Sequence, residues 1–329
     1  MNRRTAIRRL ATFFLTTASL AEAQQAGKIF RIGFLDPSTA SSIAGHLETF
    51  RQELRKLGWI EGKNLTIEYR FGEQKPGRMP ELATDLVRLK VDLIVGTTGS
   101  SVLAAKKATT TIPVVMTNVG DPVGSGLVAS LAQPGGNVTG FSNFGPELIT
   151  KRLEILKDAV PKLVRVGVLR PPGGGTGQEL QLKEIKPAAV ALKLKLEVID
   201  TQLDAKGLES AFQTAKQKQV GAIMTTSSSL FFAERKRIVE LAVKYRLPAI
   251  YFSKEFVDEG GLMSYGTDYE DLYRKAAQYV DRILKGTKPA DLPVQQAMRF
   301  EFIISLKAAK QIGITLPYEL LARANKVIQ

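Results

Sequence analysis

Gly124-Ser125-Gly126-Leu127-Val128-Ala129 fits the pattern G-x-G-x-x-[G/A], and Glu147 follows at about the 20-residue distance where a dinucleotide-binding turn keeps its ribose acid. Such a turn works between the first strand of an α/β unit and its helix, where a helix N-terminus meets the pyrophosphate. Here the letters come after the fourth strand-like run, and Pro122 suits the first turn of a helix starting near Asp121. Gly124 to Leu131 then continue that helix as small residues that allow close packing, and no dinucleotide site is expected. "PPGGGTGQEL" (171–180) follows a strand and opens a helix, so its free N–H groups suit an anion. It lacks the G-K-[ST] ending of a phosphate loop and reads as a flexible turn.

Catalytic sets are scarce. His46 is the one histidine, and the chain has no cysteine, so the common zinc sites lack ligands and thiolate or disulfide chemistry is out. No G-x-S-x-G turn is present to raise a nucleophilic serine. No metal and no cofactor are expected, and the balance is against an enzyme.

The ends of the strand-like runs are more informative. They carry Ser38 and Thr39; Thr97, Thr98, Gly99 and Ser100; Asn118, Gly120 and Asp121; Ser227 and Ser228; Ser253 with Glu255; and Tyr265 with Asp268. Each alone reads as a helix cap. Six strand ends with one chemistry predict a polar ligand cleft, because open α/β sheets bind ligands beyond the carboxyl ends of their strands. Phe141 with Ser142, Phe144, Tyr251 and Tyr265 are candidates for an aromatic edge of that cleft, and Phe252 is read as core.

The elements that must position these residues alternate. Strand-length apolar runs are "IFRIGFL" (29–35), "LTIEYRF" (65–71), "VDLIVGT" (91–97), "IPVVMTN" (112–118) and "NVTGFS" (137–142). Between them Leu47, Phe50, Leu54 and Leu57, then Leu82, Leu86 and Leu89, recur at helical spacing. The rhythm restarts with "VRVGVLR" (164–170), "LKLEVID" (194–200), "VGAIMTT" (220–226), "LPAIYF" (247–252) and "GGLMSYG" (261–266). The fold class is α/β, with two similar units of parallel strands meeting near 142–147. A long helix with Leu272, Ala276, Val280 and Ile283 on one stripe follows, then a last strand at 298–306 and a closing helix at 317–328.

The 329 residues suffice for two domains, and no run reaches the roughly 18 apolar residues of a membrane span. "MNRRTAIRR", then "LATFFLTTASLA", then Ala21-Glu22-Ala23 has the order of a secretory signal, assigned to 1–23, with Arg3-Arg4 hinting at twin-arginine export. Without a cysteine no lipid anchor is expected, and the secreted part is placed in the periplasm. Net charge is +14, with four of those charges in the leader. The remaining lysines and arginines are spread along helices as solvated faces and not as a nucleic-acid footprint.

"GFLDPS", "FRQELRKLGWIEGKNLTIEYR", "TTIPVV…GDPVGSGLVASLAQPGGNVTG" and "GGLMSYG" together resemble the extracytoplasmic solute-binding proteins of ABC transporters, in the group with tryptophan- and tyrosine-binding members. The likeness covers nearly all of the chain after the leader. It implies a type I periplasmic-binding-protein fold, with two Rossmann-like lobes joined by three crossovers. The N-terminal lobe would be 28–142 plus 268–292 and the C-terminal lobe 143–267 plus 293–329, with hinges near 142–144, 266–268 and 292–294. It further implies a monomer that closes on a small polar solute, an amino acid or related carboxylate, aromatic members included, and delivers it to a membrane permease. For an amino acid, Thr98, Ser100 and Asn118 are assigned to the carboxylate. Asp121, Glu255 or Asp268 would take the ammonium, Glu255 first, since amino-acid binders of this fold commonly use a second-lobe acid. Where relatives carry an Asn-Pro loop this chain has "RPPGGGTG", and Arg170 beside it is assigned to a carboxylate or sulfonate. A ligand-sensing domain serving a separate receptor, and a nucleotide- or phosphosugar-dependent enzyme, stay open as other readings.

Overall fold

The computed structural model describes residues 28–172 and 175–329. The expected leader and Gly173-Gly174 of the glycine-rich turn lie outside the described residues.

The first unit alternates β1 (Phe30–Asp36), α1 (Ala44–Lys56), β2 (Leu65–Phe71), α2 (Met79–Arg88), β3 (Leu93–Gly96), α3 (Gly99–Ala108), β4 (Val114–Val119) and β5 (Val138–Ser142). The second opens with α4 (Gly145–Ala159) and runs through β6 (Arg165–Arg170), α5 (Gly175–Ala191), β7 (Lys195–Asp200), α6 (Ala205–Gln217), β8 (Ala222–Thr225), α7 (Ser229–Ala233), α8 (Arg235–Lys244), β9 (Ala249–Tyr251), α9 (Glu255–Asp258) and β10 (Met263–Thr267). The chain then returns with α10 (Tyr269–Leu284) and β11 (Gln295–Gln296), and crosses again to β12 (Phe300–Ser305), α11 (Leu306–Ile312), α12 (Tyr318–Ala322) and β13 (Lys326–Ile328).

The first sheet has the order β11-β5-β4-β3-β1-β2 and the second β13-β12-β10-β9-β8-β6-β7. Without the strands added at one edge, both read β-two, β-one, β-three, β-four, β-five of their own unit. β3 and β8 are buried along their whole length, as strands covered by helices on both faces must be. Pairing is parallel except where β12 runs antiparallel to β10. In each sheet the strand order reverses beside the unit's first strand, and a reversal of this kind opens a crevice at the carboxyl ends.

Three differences from the sequence reading have local causes. The stretch 121–131 is not a helix but a series of turns. Asp121 Oδ1 accepts from Gly124 N at 2.7 Å, Gly126 takes a φ of +68°, and Lys106 Nζ donates to Gly126 O at 2.7 Å, which together end any helical ladder. The closing helix stops at Ala322. Asn325 pairs with the backbone of Phe302, its Oδ1 accepting at 2.7 Å, and turns the last residues into strand β13. Third, β11 pairs with Phe141 and Ser142 of the first sheet, so the last crossing follows Gln296 instead of lying at 292–294.

The chain therefore passes between the sheets three times, at 143–144, at Asp268 and at 297–299. The crossings are bonded to one another. Thr267 Oγ1 donates to Asn143 O at 2.8 Å, Ala297 N to Ser142 O at 2.8 Å, and Asp268 N to Arg299 O at 3.1 Å. α10 packs against α1, and Trp59 Nε1 donates to Asp281 Oδ1 at 2.9 Å, which holds the returning helix on the first unit.

One glycine is forced. Gly140 in β5 has a φ of +131°, and a Cβ there would overlap Met116 O and lie 2.7 Å from Met116 N. It faces a register irregularity between Met116 and Val119 of β4. An irregularity of this kind re-aims the side chains it carries. Asn118 sits inside it.

Candidate functional site: the cleft between the two sheets

A cavity of about 500 Å³ lies between the carboxyl ends of the two sheets. Its first wall is Asp36 and Pro37 after β1, Thr97, Thr98, Gly99 and Ser100 at the start of α3, and Asn118, Gly120 and Asp121 after β4. Its second wall is Gly177, Gln178 and Gln181 of α5 with Ser227, Ser228 and Leu230 leading into α7. Asn143, Phe252, Tyr269 and Tyr273 also line it. Each wall thus stands at the point where its sheet reverses order.

On the first wall, Thr98 caps α3. Its Oγ1 accepts from Ser101 N at 3.4 Å while Ser101 Oγ accepts from Thr98 N at 2.9 Å. The first-turn N–H groups of Gly99 and Ser100 have no acceptor within the helix. Asp36 is fully buried and accepts from Ser38 N at 2.7 Å, from Ser38 Oγ, and from Thr97 Oγ1 at 2.5 Å. Burial pushes its carboxyl above the ordinary range, against the pull of those hydrogen bonds. Asn118 Oδ1 accepts from Asn143 Nδ2, tying β4 to the first crossing.

On the second wall, two glutamines of α5 hold the strand end of β8. Gln181 Oε1 accepts from Ser227 N at 2.7 Å, and Gln178 Oε1 accepts from Thr226 Oγ1 at 2.6 Å. Ser228 Oγ caps α7, accepting from Leu230 N at 3.2 Å. Behind Ser227 lies Arg152 of α4, whose Nη2 donates to Ser227 Oγ at 3.0 Å.

The walls touch. His46 Nε2 and Glu255 Oε1 are 2.8 Å apart across the cleft. The His46 ring stacks on Tyr273 of its own side at 5.1 Å and on Phe232 of the other side at 5.2 Å. Arg235 Nη1 donates to Ser42 O at 3.2 Å and Gln74 Nε2 to Glu234 Oε1 at 3.1 Å. Burial raises the Glu255 carboxyl, but the hydrogen bond and charge of His46 outweigh it and hold the group below the ordinary 4.5. A carboxyl depressed in the fold contributes stability above its unfolded pKa and loses it as pH falls through the lower folded value. Denaturant midpoints measured from pH 7 to pH 3 are expected to fall more steeply for the wild type than for Glu255→Gln, and superimposable curves would remove the assignment.

The family model for "ABC transporter substrate binding protein" matches residues 37–328, which include both walls except Asp36. The chain belongs to that family. Its members bind ligands and do not catalyse reactions. A "Tyrosine-binding protein" of Clostridioides difficile (strain R20291) is 28% identical over 265 residues, 80% of this chain and 75% of the relative. The crystal structure of a conserved domain protein from Vibrio cholerae O1 biovar El Tor superimposes with a TM-score of 0.84 at 30% identity, covering 91% of this chain and all of that one. An ABC domain from Streptococcus pneumoniae in complex with L-Trp gives 0.81 at 27% identity, covering 91% and 99%. The two-sheet architecture is that of type I periplasmic binding proteins. Among the described residues no helix is long and apolar enough to cross a membrane, and no group of three or more His, Asp or Glu is set to hold a metal.

The structure brings together nine of the residues singled out in the sequence: Thr97, Thr98, Gly99, Ser100, Asn118, Gly120, Asp121, Ser227 and Ser228. It sets the others elsewhere, for reasons of packing. Ser38 turns inward to Asp36, and Thr39 accepts from Ser42 N at 3.3 Å in an exposed turn. Phe141 is core against Tyr279, and Ser142 Oγ donates to Gly120 O at 3.2 Å. Tyr251 is buried and stacked on Phe256, while Tyr265 packs edge-on to Phe302. Asp268 caps α10 and sits 3.8 Å from Arg274, so it faces its own helix. Glu255 is engaged by His46 and does not line the cavity. Arg170 is opposite Asp200 in the parallel register of β6 and β7, and its Nε donates to that carboxylate at 2.7 Å. It lines a separate depression with Lys183 and Lys186, away from the cleft to which the sequence reading assigned it. Phe252, read as core, is both buried and part of the cleft lining.

Sequence reasoning missed Asp36, His46, Asn143, Arg152, Gln178, Gln181, Phe232, Tyr269 and Tyr273. Arg152 had a signal: with Ile149, Leu153 and Leu156 it shares the apolar stripe of α4, where a charged side chain is out of place.

Proposed function

We propose that the protein captures an amino acid of the aromatic class in this cleft, outside the cytoplasm, and hands it to the membrane permease of an ABC importer. The observation that carries this reading is the lining. Hydroxyls and amides come from both walls, the carboxylates of Asp36 and Asp121 from the first, and Phe232, Tyr269 and Tyr273 with Leu103, Leu127 and Leu230 supply an apolar side. A space of about 500 Å³ is in the range of small-molecule sites, and a mostly apolar cavity with few convergent polar groups is their usual composition. The names of two relatives, one tyrosine-binding and one solved with L-Trp, support the aromatic class.

A ligand that touches both walls selects the state in which they meet, so capture and closure are one equilibrium. The three bonded crossings are the natural hinge. The reading takes lobes of 28–142 plus 268–297, and 143–267 plus 298–329, and the sheet to which each segment is bonded supports that division.

Thermal denaturation of the purified protein with L-tryptophan, L-tyrosine, L-phenylalanine, L-leucine and nucleotides tests the reading. Stabilisation by an aromatic amino acid that grows with the logarithm of its concentration is expected, since a ligand at about 100 times its Kd adds about 2.7 kcal/mol. A response to a nucleotide alone would overturn it.

A further inference from the structure

Arg152 is 1% exposed and takes the second position of an otherwise apolar quartet on α4, with Ile149, Leu153 and Leu156. Its guanidinium has five N–H donors. Nη2 donates to Ser227 Oγ at 3.0 Å and Nη1 reaches Tyr265 O at 3.4 Å, while Nε is buried without an acceptor. Among the described residues no carboxylate pairs with it, and the groups whose charge it senses are the hydroxyls of Tyr269 and Tyr265. Burial brings its pKa down to about 10. Taking a cation out of water without a counter-ion costs several kcal/mol, so a partner from outside the chain is the natural completion.

The cleft shows where that partner comes from. Its lining carboxylates, Asp36 and Asp121, are on the first wall, and no lysine or arginine lines it among the described residues. Arg152 stands directly behind the second wall. Because Nη2 occupies a lone pair of Ser227 Oγ, the serine proton is free to point into the cavity. Tyr269, whose hydroxyl burial pushes up to about 12, is in hydrogen-bonding reach of Asn118 and Asn143 in the same corner.

We propose that Arg152, acting through Ser227 and beside Tyr269, makes this corner the anion subsite of the cleft, so that a solute binds with its carboxylate turned to the second wall. The inference rests on the solute-binding reading above and sets the ligand's polarity within it. The carboxylate leaves the first-wall hydroxyls free, and the ammonium faces Asp36 and Asp121. Arg152 is a positioning residue that polarises Ser227 and supplies charge at short range in a water-poor site.

Acid and amide pairs test it by calorimetry on the whole protein: L-tryptophan with L-tryptophanamide, L-tyrosine with L-tyrosinamide, and indole-3-propionate with its amide. Charge-assisted hydrogen bonds in a desolvated site lead to an acid-over-amide preference of about 100-fold in the wild type. In Arg152→Met the preference is expected to collapse to about 5-fold or less, with Arg152→Lys between. A purely structural arginine would not change that ratio. Ligand-free Arg152→Met is expected to unfold at the same or a higher denaturant concentration than the wild type, because an unpaired buried charge is gone. Should it not fold, Ser227→Ala reads the same ratio, with an expected loss of about 10-fold. Equal binding of acid and amide by the wild type, or a ratio unchanged in the variants, overturns the inference alone. Binding of indole-3-propionate as tight as that of L-tryptophan overturns the amino-acid reading and leaves the anion subsite standing. No binding of any member by the wild type overturns both.

Discussion

Gly140→Ala is expected to lower the stability of the protein by about 3 kcal/mol or more, read from the midpoint of urea denaturation at fixed slope. Two independent effects add. The backbone at φ +131° is a conformation that side chains with a Cβ rarely adopt, and the added carbon would collide with Met116 O, a backbone atom with no rotamer to change. Relief requires β4 and β5 to separate where their register already shifts. Asn118 is aimed into the cleft by that shift, so ligand affinity is expected to fall together with stability. Gly45→Ala serves as the control. Gly45 is an exposed residue of α1 where an added Cβ would meet nothing within 4 Å, and its replacement is expected to be neutral or to stabilise by up to about 0.5 kcal/mol. A Gly140→Ala protein as stable as the control would show that the two strands adjust at little cost.

Asp36→Asn is expected to weaken L-tryptophan by about 100-fold at pH 7 while leaving indole-3-propionate, which has no ammonium, nearly unchanged. The side chain is the most buried carboxylate of the cleft lining, and its hydrogen bonds from Ser38 and Thr97 fix it in place. Asparagine is close in shape and can keep its carbonyl on Ser38. The ligand-free variant is expected to gain stability at pH 7. Burial raises the Asp36 carboxyl above 3.8, and a carboxyl raised in the fold favours folding when protonated, an advantage present below the unfolded value and lost as pH rises through the folded one. The difference between wild type and variant should therefore disappear near pH 3. Equal loss of both ligands would mean that Asp36 only props the wall.

Much of the fold was legible because it depends on one-dimensional patterns. Runs such as "LIVG" in β3 and "AIMT" in β8 are apolar without alternation, and such runs belong to strands covered on both faces. The doubled rhythm of strand and helix showed two units before any pairing was known. What escaped was set by distant partners. Pro122 looks like the start of a helix, but Lys106 of α3 takes the carbonyls of Gly126 and Leu127, and the segment turns instead. Val327 and Ile328 read as the end of the closing helix, but the edge of β12 takes them as a strand.

The site divides along the same line. Hydroxyls at strand ends could be found by position, since the crevice of an open sheet is at a fixed end of its strands. Whether a side chain there turns to the cavity is decided by what else competes for it. Arg170 was taken by Asp200, which lies 30 residues on in sequence and opposite in register. Glu255 was taken by His46, 209 residues away. Arg152 is the converse: a polar group in an apolar stripe, conspicuous in the sequence only if the helix is read for what does not belong.

The three crossings between the sheets form a narrow ribbon whose strands are hydrogen-bonded edge to edge, through Thr267 to Asn143, Ala297 to Ser142 and Asp268 to Arg299. A ribbon of that kind flexes easily across its width and resists shear and twist, because those would break the lateral bonds. For the closure proposed above, such a ribbon would leave a single soft coordinate, the opening angle. Under that proposal, solutes of different shape set the same mechanical variable, and a permease resting on both lobes would read that angle without contacting the solute at all.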